Sequence, residues 1–157
     1  MSAAPDLPAG ADAVDLATSV VETGVGHLAA TGDAETDQVV AYDLAHAAAA
    51  VETARAMLDY GAKGELEARL ACAFVADAVY DVATRLLGSE AEWGTEPGAI
   101  DEGLPFVRTY RSPEYLTALC GEQGPRHLDP DLLLVQDTFR RFAEDKIRPV
   151  AEEIHRR

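Results

Sequence analysis

Aromatic residues fill only 6% of the 157 positions, and cysteine occurs twice. So few large side chains argue against a core built on stacked rings. Alanine, as in the run 47–50, takes their place and favours helices packed closely through small side chains. Cys72 and Cys120 stand at no CxxC or other metal spacing. They predict two free thiols, buried or partly buried, on different helices. Positive charge is scarce over most of the chain: residues 1–107 hold 4 basic and 19 acidic groups, and residues 108–157 hold 9 of each, for a net charge of −15. An acidic surface of this kind repels nucleic acid and anionic lipid, and the balanced tail has no basic stripe to offset it. Every apolar stretch is broken by charge before it could span a bilayer. The opening MSAAPDLPAGADAVDL lacks the basic and apolar regions of a secretory signal. A soluble, cytoplasmic protein with no membrane or nucleic-acid partner is expected.

What is present reads as an all-α protein, a helical bundle built on a long αα-hairpin. Pro5, Pro8 and Gly10 predict a disordered segment over 1–10. A helix over 11–30 carries Val14, Val21, Val25 and Leu28 near one face. Gly24-Val25-Gly26 has no strand before it, so close helix packing is expected there rather than a nucleotide loop. Asp33 is a cap for the next helix, over 34–60, in which Val40, Leu44, Ala47, Val51, Ala54 and Leu58 recur at spacings of four and three. Gly61 is expected as its left-handed cap. The short 61–64 connection forces the helix over 65–87 to fold back alongside. That helix shows two apolar rows, Ala71, Val75, Ala78, Val82 and Leu86, and Leu66, Leu70 and Phe74, which mark it as the central one, ended by Gly88. These elements make a helical extension domain over 11–120.

Periodicity disappears over 89–111, an expected irregular connection pinned to the bundle by Leu104, Phe106, Val107 and Tyr110. Ser112, Pro113 and Glu114 open a short helix running to Cys120, and 121–128 is a linker. Asp129 and Pro130 then give a strong helix start. Apolar residues follow at Leu132, Val135, Phe139, Phe142, Ala143 and Ile147, with Arg140, Arg141, Glu144, Asp145 and Arg148 on the other face. Pro149 cannot donate to the carbonyl of Asp145, so the helix ends or kinks and a new piece begins at Val150.

Few residues could carry chemistry. His27 and His127 have no spaced partner. Asp43 with His46, and Glu152 with His155, show the carboxylate-x-x-His spacing used by di-iron bundles. Roughly 0.7 such pairs are expected by chance at this composition. Such a site needs two further inward carboxylates, and Asp77 and Asp81 are the only acids well inside the third helix. No nucleophile–base constellation and no P-loop is present.

The string over 138–155, TFRRFAEDKIRPVAEEIH, resembles the opening helix of the acyl-CoA dehydrogenases, many of which have an acidic residue where His155 stands. The acidic, alanine-rich stretch before it, with YDLAHAAAAVETARAMLDYG and later FVRTYRSPEYL, resembles the extension carried by members that oxidise methylsuccinyl-CoA. The resemblance implies that 129–157 begins a dehydrogenase N-terminal α-domain. The activity it implies is FAD-dependent α,β-dehydrogenation of a short branched acyl-CoA such as methylsuccinyl-CoA. In that chemistry a glutamate takes the α-proton, flavin N5 takes the β-hydride, and electron-transferring flavoprotein accepts the electrons. It places no catalytic, cofactor-binding or metal residue within these 157 positions. The chain is therefore expected to be a truncated reading frame or an excised fragment, inactive and without FAD by itself. Its face of Leu132, Val135, Phe139, Phe142 and Ile147 is expected to self-associate or to bind the remainder of the dehydrogenase. A non-catalytic assembly module and a carboxylate/His metal bundle remain open beside it.

Overall fold

Asp6 starts the first helix: its carboxylate accepts the amide of Ala9 at 3.0 Å, and Pro8 fits the first turn. Helix α1 therefore runs Leu7–Thr31 in the computed structural model, which describes residues 3–32 and 37–156. The helix enters the segment over 1–10 for which disorder was expected, because that segment is tied down. Gly10 is buried, the Tyr110 hydroxyl donates to the carbonyl of Ala4 at 2.8 Å, and Leu7 packs on the core. Every regular element among the described residues is helical.

Helix α2 covers Gln38–Gly61; the expected cap Asp33 and the first residues of the expected span, 34–36, lie outside the described residues. Leu44, Ala47, Val51 and Ala54 are buried, with Val40 and Leu58 half-buried at the ends of the same row. Gly61 is not a left-handed cap but the last helical residue, followed by Ala62 in right-handed conformation. Its small size answers to packing: a Cβ there would lie 2.8 Å from Ala71 Cβ and 2.9 Å from a Leu7 methyl.

Helix α3, Glu65–Leu86, returns beside α2 and also packs on α1. The row Ala71, Val75, Ala78, Val82 and Leu86 is wholly buried. The second row is not Leu66, Leu70 and Phe74; Leu70 and Phe74 are more than a third exposed. Ala68, Cys72, Ala76 and Val79 are buried instead. Three of these are small, which suits close approach of a neighbouring helix. Leu87 and the left-handed Gly88 end the helix as expected.

The connection over 89–111 is more ordered than its sequence suggests. Trp93 is fully buried, Asp101–Gly103 forms a tight helical turn, and α4 follows at Leu104–Tyr110, with Phe106, Val107 and Tyr110 in the core. Helix α5, Pro113–Leu119, is capped by Ser112 Oγ, which accepts the amide of Tyr115 at 3.3 Å. Tyr115 is buried edge-on to Tyr110, and its hydroxyl donates to the carbonyl of Arg69 at 3.0 Å. Two arginines clamp the outside. Arg85 holds Asp43 at 2.7 Å and Asp81 at 2.9 Å; Arg111 holds Asp77 at 2.7 Å while lying 3.7 Å from the centre of the Tyr80 ring.

The chain divides into two compact units, Met1–Glu122 and Gln123–Arg157. The second contains helix α6, Pro130–Phe142, then two non-α turns, then α7, Ala151–Arg156. No helix among the described residues is long and apolar enough to cross a membrane.

Candidate interaction face

The second unit starts from a cap that its sequence specifies. Asp129 stands in extended conformation and its carboxylate accepts the amide of Leu132 at 2.8 Å; Pro130 occupies the first helical position, and Asp131 adds charge at the positive end of the dipole. Spacings of three, four and three then line up Leu132, Val135, Phe139 and Phe142 on one side. Ile147 follows Phe142 after a gap of five, bridged only by the small Ala143. In an unbroken α-helix, at about 100° per residue, it would stand at the edge of the stripe, about 60° from Leu132 and about 140° from Phe142.

The backbone corrects this. Residues Ala143–Ile147 form a π turn, closed by the Arg148 amide on the Ala143 carbonyl; such a turn absorbs one residue, which by helical geometry shifts Ile147 back toward the side of Phe142. The tight turn Arg148–Val150 follows, where Pro149 has no N–H to continue the α ladder, and α7 resumes at Ala151. The sequence predicted the break at Pro149. It carried the wider turn only as that five-residue gap.

None of the α6 side chains is buried. Leu132 and Val135 are 50% exposed, Phe142 is 55% and Phe139 is 69% exposed, and Ile147 is 47%. Leu133, Leu134 and Val150, which the stripe did not include, are exposed as well. Polar pairs run along the second unit: Arg148 donates to Glu144 at 2.5 Å, Arg156 to Glu152, and Arg126 to Gln136. An exposed apolar stripe running from Leu132 to Ile147 is the strongest binding feature in the second unit.

The other candidate residues do not converge on one site. Asp43 is held by Arg85, not by His46, whose ring instead lies 4.3 Å from that of Tyr42. Glu152 is held by Arg156. Asp77 and Asp81, the carboxylates a metal bundle would need, are bonded to Arg111 and Arg85. Among the described residues no three His, Cys, Asp or Glu side chains converge as a metal site would require. The imidazole of His27 lies against Gly94, and His127 adopts a left-handed backbone in the second unit.

Cys72 is buried, and burial raises its thiol pKa, as it does for the phenol of Tyr110. Burial pushes the phenol of Tyr115 up to about 12. All three groups are thus held neutral and chemically quiet. Cys120, expected buried or partly buried, is exposed. A groove of about 440 Å³ between α1 and α4 is lined by Asp6, Asp12 and Glu102 over Leu16 and Phe106. A second, of about 350 Å³ between α2 and α3, shows His46, Phe74, Asp77 and Asp81. Neither lining contains lysine or arginine.

Comparisons of this chain with family models, curated proteins and solved structures return no match.

Proposed function

We propose that Gln123–Arg157 contributes the opening helix of an acyl-CoA dehydrogenase fold, and that Met1–Glu122 is a helical extension preceding it. The observation that carries this reading is the string over 138–155. It lies on a helical run broken by the turns Ala143–Ile147 and Arg148–Val150, and its Phe139, Phe142 and Ile147 are exposed at the end of the apolar stripe. Such a stripe suits a helix that other chain is meant to cover. The activity proposed for the complete enzyme is FAD-dependent α,β-dehydrogenation of a short branched acyl-CoA such as methylsuccinyl-CoA.

Neither of the two grooves suits FAD. Its pyrophosphate carries negative charge and calls for basic side chains or a helix N-terminus aimed at it. Both grooves present carboxylates and no lysine or arginine. Flavin binding, proton abstraction and docking of electron-transferring flavoprotein are accordingly assigned to the remainder of the dehydrogenase.

An antiserum against residues 1–122 tests the reading in the native cells. It should capture a flavin-containing polypeptide, or an assembly with one, that oxidises methylsuccinyl-CoA. A free 16.7 kDa product with no flavoprotein attached would overturn the dehydrogenase reading and favour an assembly module.

A further inference from the structure

We propose that α6 is self-complementary and pairs with α6 of a second copy of this chain, antiparallel, about a two-fold axis near Phe139. This pairing follows from the shape and charge order of the stripe; it uses the same face that the dehydrogenase reading gives to further chain, so the two coverings exclude each other and the pairing concerns this chain by itself. Leu132, Val135, Phe139 and Phe142 have the alternating three-four spacing of a coiled-coil seam, and the π turn keeps Ile147 in line with them. The seam spans 16 residues, about 24 Å at the usual helical rise. All five side chains are exposed and available.

Charge favours one direction. Asp129 and Asp131 stand at the start of the seam; at its end Arg148 is already paired with Glu144, and Lys146, beside Asp145, is the cation that flanks the last seam residue. Asp131 immediately precedes Leu132, as Lys146 immediately precedes Ile147. In an antiparallel pair Leu132 of one copy opposes Ile147 of the other, which brings Asp131 beside Lys146 at both ends. Val135 then opposes Phe142, and the two Phe139 rings meet at the axis. Opposed helix dipoles add to the preference. A parallel pair would set Asp131 against Asp131 and Lys146 against Lys146. The flanks near the middle, Gln136, Thr138 and Ala143, are uncharged and tolerate either neighbour. The face is thus isologous, the arrangement that closes as a dimer and does not propagate.

One helix pair of this length falls at the small end of specific interfaces, so a dissociation constant of about tens of micromolar is expected. Sedimentation equilibrium of the whole chain from about 1 to 200 µM tests this. The mass should rise from 16.7 kDa toward twice that value. Phe139→Glu with Phe142→Glu should remain monomeric, with unchanged thermal melting because both side chains are exposed in the monomer. Asp131→Lys and Lys146→Glu should each weaken the dimer about two- to tenfold, and the two together should restore it. A monomer throughout the range, association that survives the phenylalanine changes, or tightening by Asp131→Lys alone would overturn the proposal.

Discussion

The α2–α3 hairpin and the helix α6 carry the same kind of apolar spacing and meet opposite fates. In the hairpin the rows are made of small and medium residues, Ala47, Val51 and Ala54 on one helix and Ala71, Val75 and Ala78 on the other, and every one is buried. In α6 the row is made of leucine, valine, phenylalanine and isoleucine, and none is buried. Side-chain size therefore does not decide burial here. The hairpin has a partner of matched length delivered by a three-residue connection, 62–64, within one unit, while within the second unit α6 is followed only by short turns and the six-residue α7. Spacing announces that a helix needs a neighbour; the chain's path decides whether it finds one.

The largest test of this contrast places one carboxylate on each seam. Val51 is 3% exposed, so Val51→Asp puts a charge where nothing can solvate it. The first unit should lose at least about 4 kcal/mol and unfold near room temperature. Val135→Asp, at a half-exposed position, should shift the melting midpoint of the first unit by nothing measurable. Circular dichroism melts of the two variants decide this. Equal destabilisation would mean that α6 is as buried as the hairpin.

Trp93 carries the contrast into a region without periodicity. It is fully buried, and Trp93→Ala should cost about 3–5 kcal/mol. Phe139→Ala removes an almost equally large ring from α6 and should cost less than about 0.5 kcal/mol, since that ring is 69% exposed. Urea unfolding with a common slope for both variants gives the comparison directly.

Legibility followed physical cause, residue by residue. The buried rows of α2 and α3 could be read because their spacing is regular and their connection short. Leu70 and Phe74 suggest a buried row by their hydrophobicity, whereas close packing against a neighbouring helix selects Ala68, Cys72 and Ala76. Helix α4 is seven residues long and begins with Leu104-Pro105, too short for a period to show, although Pro105 is itself a start signal. Gly61 suggests a left-handed turn because glycine at a helix end usually marks one, while here it makes room for Ala71 and Leu7. In the candidate face the five stripe residues were legible and the π turn was not. Its one trace was the gap between Phe142 and Ile147.

Alkaline pH should separate the units next. In the first unit Tyr115 is buried and donates to the Arg69 carbonyl, with its pKa raised from 10 to about 12; the pKa values of Tyr110 and Cys72 are raised as well. Each is stabilised in its neutral, protonated form. Their contribution is fully present below the unfolded-state values and is lost as pH rises through the folded ones. Melting temperature should therefore fall steeply between about pH 10 and pH 12. Tyr115→Phe should flatten that fall, at a cost of about 1 kcal/mol at neutral pH for the lost hydrogen bond. A melting temperature insensitive to pH across this window would show that the tyrosines are not enclosed.

The smallest expected effect compares two glycines on opposite sides of one helix turn. A Cβ on Gly24 would lie 2.6 Å from a Leu44 methyl and 3.2 Å from the Trp93 ring, while a Cβ on Gly26 meets nothing within 4 Å. Both positions gain helix propensity from alanine, up to about 1 kcal/mol. At Gly26 that gain should appear in full as a raised melting temperature. At Gly24 overpacking outweighs it, because Trp93 has no exposed side to move toward, and a net loss of about 1–2 kcal/mol is expected. If Gly24→Ala and Gly26→Ala stabilise equally, α1 does not approach α2 and the Trp93 segment as closely as described. The reading of the first unit as a bundle held together by small residues would then fail at its tightest point.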